Sequence, residues 1–303
     1  MTKILIIGPK FFGYVDRIEK TLSKNYNVDK IYTFYPNSFR HRICKNKSLL
    51  NYYKKIEISR NYSSIIVVNG RNLPLDYLLK IRTMNPTARF ILYIWDDYKN
   101  VNHSDDFINF FDIIYTYSKY DSIKYDKLIY QPFFYSNDID ESNWRKDIEI
   151  SFIGSLHSNR YLIYKEIVKN ISGKKFLYLY SEFFNFFKKS ENWLKFNVVN
   201  FRSLPYETYI KILLRSKISI EIPHKLQSNI TTRAIEVLGT KTKLITTSSK
   251  IVEYDFYNED NIFVLTDMNF GKLNEWSKIP FKNLETSILK KYSIDTWCEN
   301  IIK

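Results

Sequence analysis

Short apolar runs rich in β-branched residues alternate along this chain of 303 residues with stretches whose apolar residues recur at helical spacing. In the first half, the β-type runs cover residues 4–7, 28–34, 64–68, 89–95, 112–116 and 128–130. Strands that alternate with helices pair side by side into a mostly parallel sheet with helices on both faces. The alternation therefore predicts an α/β, doubly wound fold for this half.

The same alternation restarts after a polar interruption. Residues 135–147 are rich in Asn, Ser and Asp and carry no apolar period, which is typical of a connection between domains. Beyond them, β-type runs cover residues 148–153, 175–180, 196–199, 218–222, 243–246 and 261–265, and a helical tail covers 284–302. We therefore predict two Rossmann-like domains, 1–135 and 148–303, with a linker at 136–147 and a last helix that can pack back on the first domain.

The formal charge of +14 predicts a negatively charged partner. Nucleic acid, an anionic membrane surface and a phosphate-bearing substrate all meet this condition. The basic residues are dispersed along the chain. Proteins that bind single-stranded nucleic acid interleave aromatic residues with lysines and arginines. In this chain the aromatic residues instead fall mostly at core-like periods. We therefore expect no nucleic-acid partner, and we expect one basic face toward the inner surface of a membrane.

Cysteine usage and the N-terminus indicate the compartment. Cys44 and Cys298 are too far apart in sequence to suggest a disulfide framework, which favours a reducing environment. The first apolar run is too short for a signal peptide, and no apolar run approaches the length of a membrane span. We expect a cytoplasmic protein that can attach peripherally to the inner face of the plasma membrane.

Residues 204–247 predict an anion-binding site. A helical pattern over 204–215, which Ser203 is placed to cap, precedes a short strand, a polar loop and a second helix opened by Thr231 and Thr232. The free N–H groups and the dipole at such a helix start favour a phosphate group.

Arg233 and Glu236 lie three positions apart just inside this second helix, so they share one of its faces. Arg233 can form a forked pair of hydrogen bonds with a diphosphate, and Glu236 can accept hydrogen bonds from two ribose hydroxyls. The alternative is a solvated ion pair within the helix, which is the commoner role of Arg and Glu at this spacing. The neighbouring loop and apolar strands favour the first interpretation, a site for a nucleoside diphosphate.

Several segments together resemble a known family. In chain order they are YIWDDYKN, FDIIYTYSKYDSIKY, PFFY, ISFIGSLHSNRY and QSNITTRAIEVLGTKTKLITT, and they resemble bacterial GT-B glycosyltransferases of capsule and O-antigen clusters, akin to lipopolysaccharide-biosynthesis and spore-maturation types. The resemblance covers residues 89–265 and implies two Rossmann-like domains that face each other across a cleft. It implies that the first domain binds a glycan or lipid-linked acceptor and the second a UDP-, GDP- or dTDP-sugar. Asn229 stands where we expect glycine, and Glu221 where we expect aspartate.

Candidate residues follow from this resemblance and from the chemistry of sugar transfer. Without a metal ion, cations and helix N-termini must stabilise the departing diphosphate. For the catalytic base we select Asp96 and Asp97, which follow a buried strand at the edge where open α/β sheets place their sites. The alternative for these two acids is a helix N-cap beside a solvated carboxylate. The residues that we assign to the donor are Gly154, Ser155, His157, Arg160, Gln227, Ser228, Thr231, Thr232, Arg233 and Glu236.

Other interpretations compete with this one. Asp138 and Asp140 resemble the metal-binding DxD motif of some glycosyltransferases, but they lie in the predicted linker, and we expect no metal site. A nucleotide-sugar epimerase of the same two-domain shape would release a free sugar without any acceptor. A basic nucleic-acid-binding protein is the alternative that is not an enzyme.

Overall fold

A computed structural model describes residues 2–35, 45–101, 104–136, 143–157, 159–188, 190–224 and 229–303. Of the residues singled out above, five lie outside the described ranges: Cys44, Asp138, Asp140, Gln227 and Ser228. The chain forms two compact units. One consists of Met1–Phe133 together with Ile294–Lys303, and the other of Phe134–Ser293.

The first unit is built on a parallel sheet of six strands. These are β1 (Lys3–Gly8), β2 (Asn27–Tyr32), β3 (Tyr62–Val68), β4 (Arg89–Ile94), β5 (Ile113–Thr116) and β6 (Leu128–Tyr130). Their order across the sheet is β2-β1-β3-β4-β5-β6, so the direction of winding reverses between β1 and β3. The apolar runs of β1 and β3 are nearly continuous because helices cover both faces of this sheet.

The helices of the first unit include one from the end of the chain. They are Tyr14–Leu22, Lys45–Lys54, Leu75–Met84, Asp105–Asn109, Lys119–Lys124 and Ile294–Ile302, with a 3-10 turn at Tyr98–Asn100. Trp297 of the last helix is buried edge-on against Tyr93 of β4, with ring centroids 5.0 Å apart. The hydroxyl of Tyr115 in β5 also donates a hydrogen bond of 3.1 Å to the carbonyl of Asn300. The C-terminal helix therefore completes the core of the first unit.

The second unit contains another parallel sheet of six strands. These are β7 (Ile148–Ser155), β8 (Lys175–Tyr180), β9 (Val199–Asn200), β10 (Ser216–Glu221), β11 (Lys243–Thr246) and β12 (Ile262–Val264). Their order is β12-β11-β10-β7-β8-β9, the order of a dinucleotide-binding domain, with the reversal between β7 and β10. Both sheets are doubly wound, so the predicted α/β fold class is confirmed.

Helices pack on both faces of the second sheet and bury its apolar residues. They are Arg160–Lys169, Phe183–Phe187, Tyr206–Arg215, Thr232–Gly239, Leu273–Lys278 and Thr286–Lys291, with 3-10 helices at Ser190–Val198, Ser249–Glu253 and Phe270–Lys272. Tyr164 and Ile167 of the first of these helices lie in one core cluster with Ile150 and Phe152 of β7. Among the described residues, no helix has both the length and the apolar character that a membrane span requires.

Two local predictions for this unit are wrong. Ser203 does not cap the Tyr206–Arg215 helix, which begins after Pro205 without a side-chain cap, because proline already supplies the extended backbone that precedes a helix. Residues 196–198 belong to a 3-10 helix, and the adjoining strand has only two residues. Phe196 packs instead against Phe186 and Phe201, which draws this segment away from the sheet ladder.

Candidate functional site

The carboxyl ends of β7 and β10 bring together residues from two distant parts of the sequence. These strands are parallel neighbours, with Ile150 opposite Ile218, so the loops that follow them leave the sheet at the same edge. The loop after β7 leads to Arg160, and the loop after β10 leads to the Thr232–Gly239 helix. Open α/β sheets bind ligands at such a reversal of strand order. We refer to this part of the second unit as the switch-point site.

Contacts across the switch-point site join the two loops. The imidazole rings of His157 and His224 lie 4.8 Å apart between centroids, one after β7 and the other after β10. Gly154 lies near the end of β7, and a Cβ placed there would come within 3.5 Å of Nη1 of Arg160. The absence of a side chain at Gly154 therefore leaves room beside the Arg160 guanidinium group.

Glu221 fixes the start of the Thr232–Gly239 helix. Its buried carboxylate ends β10, where Oε1 accepts hydrogen bonds from the hydroxyl of Thr231 and, at 2.9 Å, from the backbone N–H of Thr231. Oε2 accepts a third bond, of 2.6 Å, from the hydroxyl of Thr246 at the end of β11. The N–H group of Thr231, which we expected to offer to phosphate, is thus bonded within the protein. These three hydrogen bonds give Glu221 a structural role.

Thr231 is the N-cap residue of the helix, which begins at the pair of threonines that the sequence predicts to open it. Its hydroxyl oxygen accepts a hydrogen bond of 3.2 Å from the backbone N–H of Arg233. For the backbone N–H of Thr232, the described part of the chain provides no acceptor. The first turn therefore keeps a donor for an anion at Thr232.

Tyr209 links Arg233 and Glu236, the two residues that the sequence places on one helix face. Its buried hydroxyl lies 2.7 Å from Oε2 of Glu236 and 3.3 Å from Nε of Arg233. Burial raises the pKa of Tyr209 well above its ordinary value, so this hydroxyl keeps its proton and donates a hydrogen bond to Glu236. Because Glu236 is only 4% exposed, the two residues do not form the solvated ion pair that was the alternative interpretation.

Arg160 places a second guanidinium group in the switch-point site. Its Nη1 donates a hydrogen bond of 3.2 Å to the carbonyl of Ser155, whereas its buried Nε has no hydrogen-bond partner among the described residues. Burial and, next, the charge of Arg233 lower the pKa of Arg160, and Glu221 partly offsets both, so that the resulting pKa is about 10. Two like charges and an unpaired donor therefore meet at this edge, an arrangement that a bound anion would stabilise.

In the first unit, Asp96 and Asp97 follow β4 and lie in different environments. Asp97 is buried and accepts a hydrogen bond of 2.5 Å from the hydroxyl of Tyr117. It occupies the N-cap position of the Tyr98–Asn100 turn but makes no side-chain cap bond. The side chain of Asp96 is 42% exposed, and it accepts a bond of 3.0 Å from the amide of Asn69 at the end of β3. Asp97 is thus held by the protein, while Asp96 is open to a substrate.

The sequence analysis missed Tyr209 as a residue of the site. Tyr209 lies within the helical pattern predicted for residues 204–215, and only its hydroxyl, on the face of the helix that packs inward, indicates a polar role. Asn69, which directly follows the predicted strand at residues 64–68, was likewise not selected. Among the described residues, no group of three or more His, Cys, Asp or Glu side chains is placed to hold a metal ion.

Comparison with known proteins supports the fold. No family model and no curated protein sequence matches the chain. The lipopolysaccharide outer core galactosyltransferase WaaB is 13% identical, with 99% of each chain covered and a TM-score of 0.51. HepE of Anabaena, solved with UDP and glucose, is 8% identical, with 100% of this chain and 98% of HepE covered and a TM-score of 0.59. An α-glucosyltransferase solved with UDP and a 13-mer DNA is 12% identical, with 99% of each chain covered and a TM-score of 0.60. Together with the two sheets, these matches show that the chain has the GT-B fold.

Proposed function

We propose that this protein is a glycosyltransferase that moves a sugar from a nucleotide-sugar donor to a glycan or lipid-linked acceptor in the synthesis of a surface polysaccharide, such as capsule or O-antigen. The GT-B fold supports this proposal, as do the names of the structures that share it. In this proposal the first unit binds the acceptor and the second unit binds the donor. The enzyme acts in the cytoplasm, at the inner face of the plasma membrane.

One observation carries the proposal: the half-buried guanidinium groups of Arg160 and Arg233 share the switch-point site, and the buried Nε of Arg160 has no partner among the described residues. Like charges in a partly buried site are unfavourable unless a ligand of opposite charge lies between them. A diphosphate supplies that charge, and its oxygens accept the forked bonds that guanidinium groups donate. The N–H group of Thr232 adds a third donor at the helix start.

The remaining groups of the site suit the rest of a nucleoside diphosphate sugar. Glu236, fixed by Tyr209, presents a carboxylate that can accept hydrogen bonds from ribose hydroxyls. The two arginines stabilise the charge that develops on the departing diphosphate, so we propose that transfer does not require a metal ion. We further propose that the donor base is uracil, because two structures of similar fold hold UDP.

For the catalytic base we propose Asp96 rather than Asp97. A general base must reach the acceptor hydroxyl, and only Asp96 of the two is substantially exposed. Asp97, bonded to Tyr117, positions the loop that carries Asp96.

Titration calorimetry with UDP, GDP and dTDP tests the donor site, first in EDTA and then in Mg²⁺. The variants are Arg233→Ala and Glu236→Gln, where glutamine keeps the shape of a buried side chain that alanine would leave as a cavity. The exposed residues Arg145 and Glu207 provide matched controls, Arg145→Ala and Glu207→Gln. We expect UDP to bind in EDTA, Arg233→Ala to weaken it about 10- to 100-fold through loss of charge-assisted bonds, and both controls to bind normally. If no nucleotide binds, or if Arg233→Ala binds as tightly as the wild type, the donor-site proposal fails.

A further inference from the structure

Five large apolar side chains of the second unit are exposed within one short part of the chain. Leu194 is 94% exposed and Trp193 is 62% exposed, and the other three are the phenylalanines at 183, 187 and 196. We call these five residues the aromatic patch. Large apolar groups that are exposed together, rather than scattered singly, mark a surface that contacts something.

The aromatic patch is fixed on a buried base. Phe186 is fully buried, and its ring lies 5.2 Å from that of Phe187 and 6.0 Å from that of Phe196 between centroids. Phe201 packs against Phe186 at 5.3 Å and against Phe183 at the same distance. The three exposed phenylalanines of the patch therefore each pack against Phe186 or Phe201.

Basic residues surround these apolar side chains. Residues 183–202 contain four Lys or Arg residues and a single Glu. Lys188 and Arg202 are exposed, and Lys195 is half-buried. Aromatic and aliphatic groups beside lysines match a partner that is anionic at its surface and apolar just beneath, which describes a bilayer with anionic headgroups. In a symmetric contact between two copies of this chain, the same basic residues would face each other and repel.

The aromatic patch lies at the edge of the sheet that carries the switch-point site. β9 pairs only with the last residues of β8, Leu179 opposite Val199 and Tyr180 opposite Asn200. The chain between these strands, which bears the patch, therefore leaves and re-enters the sheet at its carboxyl edge. The switch-point site opens at this same edge of the second unit.

We propose that the aromatic patch docks the second unit on an anionic lipid surface, with Trp193 and Leu194 inserted among the acyl chains and Lys188, Lys195 and Arg202 bound to headgroups. Docking in this way turns the carboxyl edge of the second sheet toward the membrane. The purpose of this docking, supplying a lipid-linked acceptor, rests on the proposed function, but lipid binding itself does not.

Flotation with lipid vesicles tests the docking surface. The full chain is mixed with vesicles of phosphatidylcholine alone, or of phosphatidylcholine and phosphatidylglycerol in equal amounts. The test variants are Trp193→Ser with Leu194→Ser, and Lys188→Ser with Lys195→Ser. Met268, which is 96% exposed, and Ile123, which is 75% exposed, provide a matched apolar control with both residues changed to serine. Replacing exposed side chains should leave the fold intact, and UDP binding by each variant checks this independently.

We expect the wild type to float with anionic vesicles and not with neutral ones, and to dissociate as salt rises. The Trp193/Leu194 variant should bind at least about tenfold more weakly, and the lysine variant about 25-fold more weakly, since each basic residue near an anionic surface contributes about fivefold. The Met268/Ile123 control should float like the wild type.

Equal flotation of the wild type and the Trp193/Leu194 variant would overturn the proposal, as would equal binding to neutral vesicles. Self-association that the Trp193/Leu194 variant abolishes, without flotation of the wild type, would assign the patch to a second copy instead. If the wild type floats with anionic vesicles but does not bind UDP, the donor-site proposal fails and this proposal stands.

Discussion

Replacing Arg160 by methionine should raise the stability of the unliganded protein and weaken its binding of UDP. A pKa lowered from 12.5 to about 10 means that the folded protein disfavours the charged guanidinium by about 3 kcal/mol. Losing the hydrogen bond to the carbonyl of Ser155 costs about 1–2 kcal/mol in return. The free energy of unfolding should therefore rise by about 1–2 kcal/mol, or the Tm of the second unit by about 2–8 °C.

The effect on the ligand has the opposite sign. If Nε of Arg160 donates to a phosphate oxygen of UDP, its removal loses a charge-assisted bond of about 1.5–3 kcal/mol, which weakens binding about 10- to 100-fold. Thermal unfolding with and without UDP, together with calorimetry, measures both quantities in one preparation. Lys165→Met, an exposed cation changed on the same helix, is the matched control and should alter neither quantity. A variant at Arg160 that is less stable than the wild type but binds UDP equally well would refute the reasoning, because Arg160 would then be a structural residue.

Four further predictions concern residues with defined contacts. Tyr209→Phe removes the hydroxyl shared by Arg233 and Glu236, so both the Tm and the calorimetric affinity for UDP should fall, with about 1.5–3 kcal/mol lost from the free energy of unfolding. Asp96→Asn should slow sugar transfer about 10²- to 10⁴-fold at an unchanged Tm, whereas Asp97→Asn should lower the Tm because its buried carboxylate accepts a hydrogen bond. Arg215 and Lys174 hold the pKa of Asp147 below its ordinary 3.8, so this carboxylate stabilises the fold above that pH. The Tm deficit of Asp147→Asn at pH 7 should accordingly begin to shrink as the pH falls through 3.8 and vanish only below the lowered pKa of Asp147 in the folded protein. Gly239→Ala places a methyl group against the ring of Tyr135 and should cost about 1–3 kcal/mol in a denaturant titration, a loss that Tyr135→Ala should partly reverse.

Elements whose formation depends on their own residues were predicted closely. β11 occupies the predicted residues, and the Thr232–Gly239 helix starts at the expected threonine cap, because an apolar run and a hydroxyl before a helix act locally. The segment at residues 196–198 was mispredicted because its conformation depends on packing outside the segment. Its apolar residues suit a strand, but Phe196 packs against Phe186 of a preceding helix and against Phe201.

For the candidate site, the sequence analysis selected residues but not the contacts between them. Arg160 and Arg233 were both assigned to the donor, yet nothing near either residue indicates that their charges meet. No feature of the sequence explained glutamate, rather than the expected aspartate, at position 221. In the structure, the Glu221 carboxylate accepts hydrogen bonds from Thr231 and Thr246. Each of these contacts depends on which strands become neighbours.

The alternation of apolar runs and helical patterns in the sequence determined that this protein forms two doubly wound sheets, because burial of apolar faces follows the local period of side chains. The tertiary structure decided what the polar residues do. Pairing β7 with β10 brings Arg160 to the helix that carries Arg233, and packing of the Tyr206–Arg215 helix buries the hydroxyl that fixes Glu236. Strand order is set by the free energy of the whole fold rather than by any one segment, so the charges and hydrogen bonds of the site exist only once the sheet is complete.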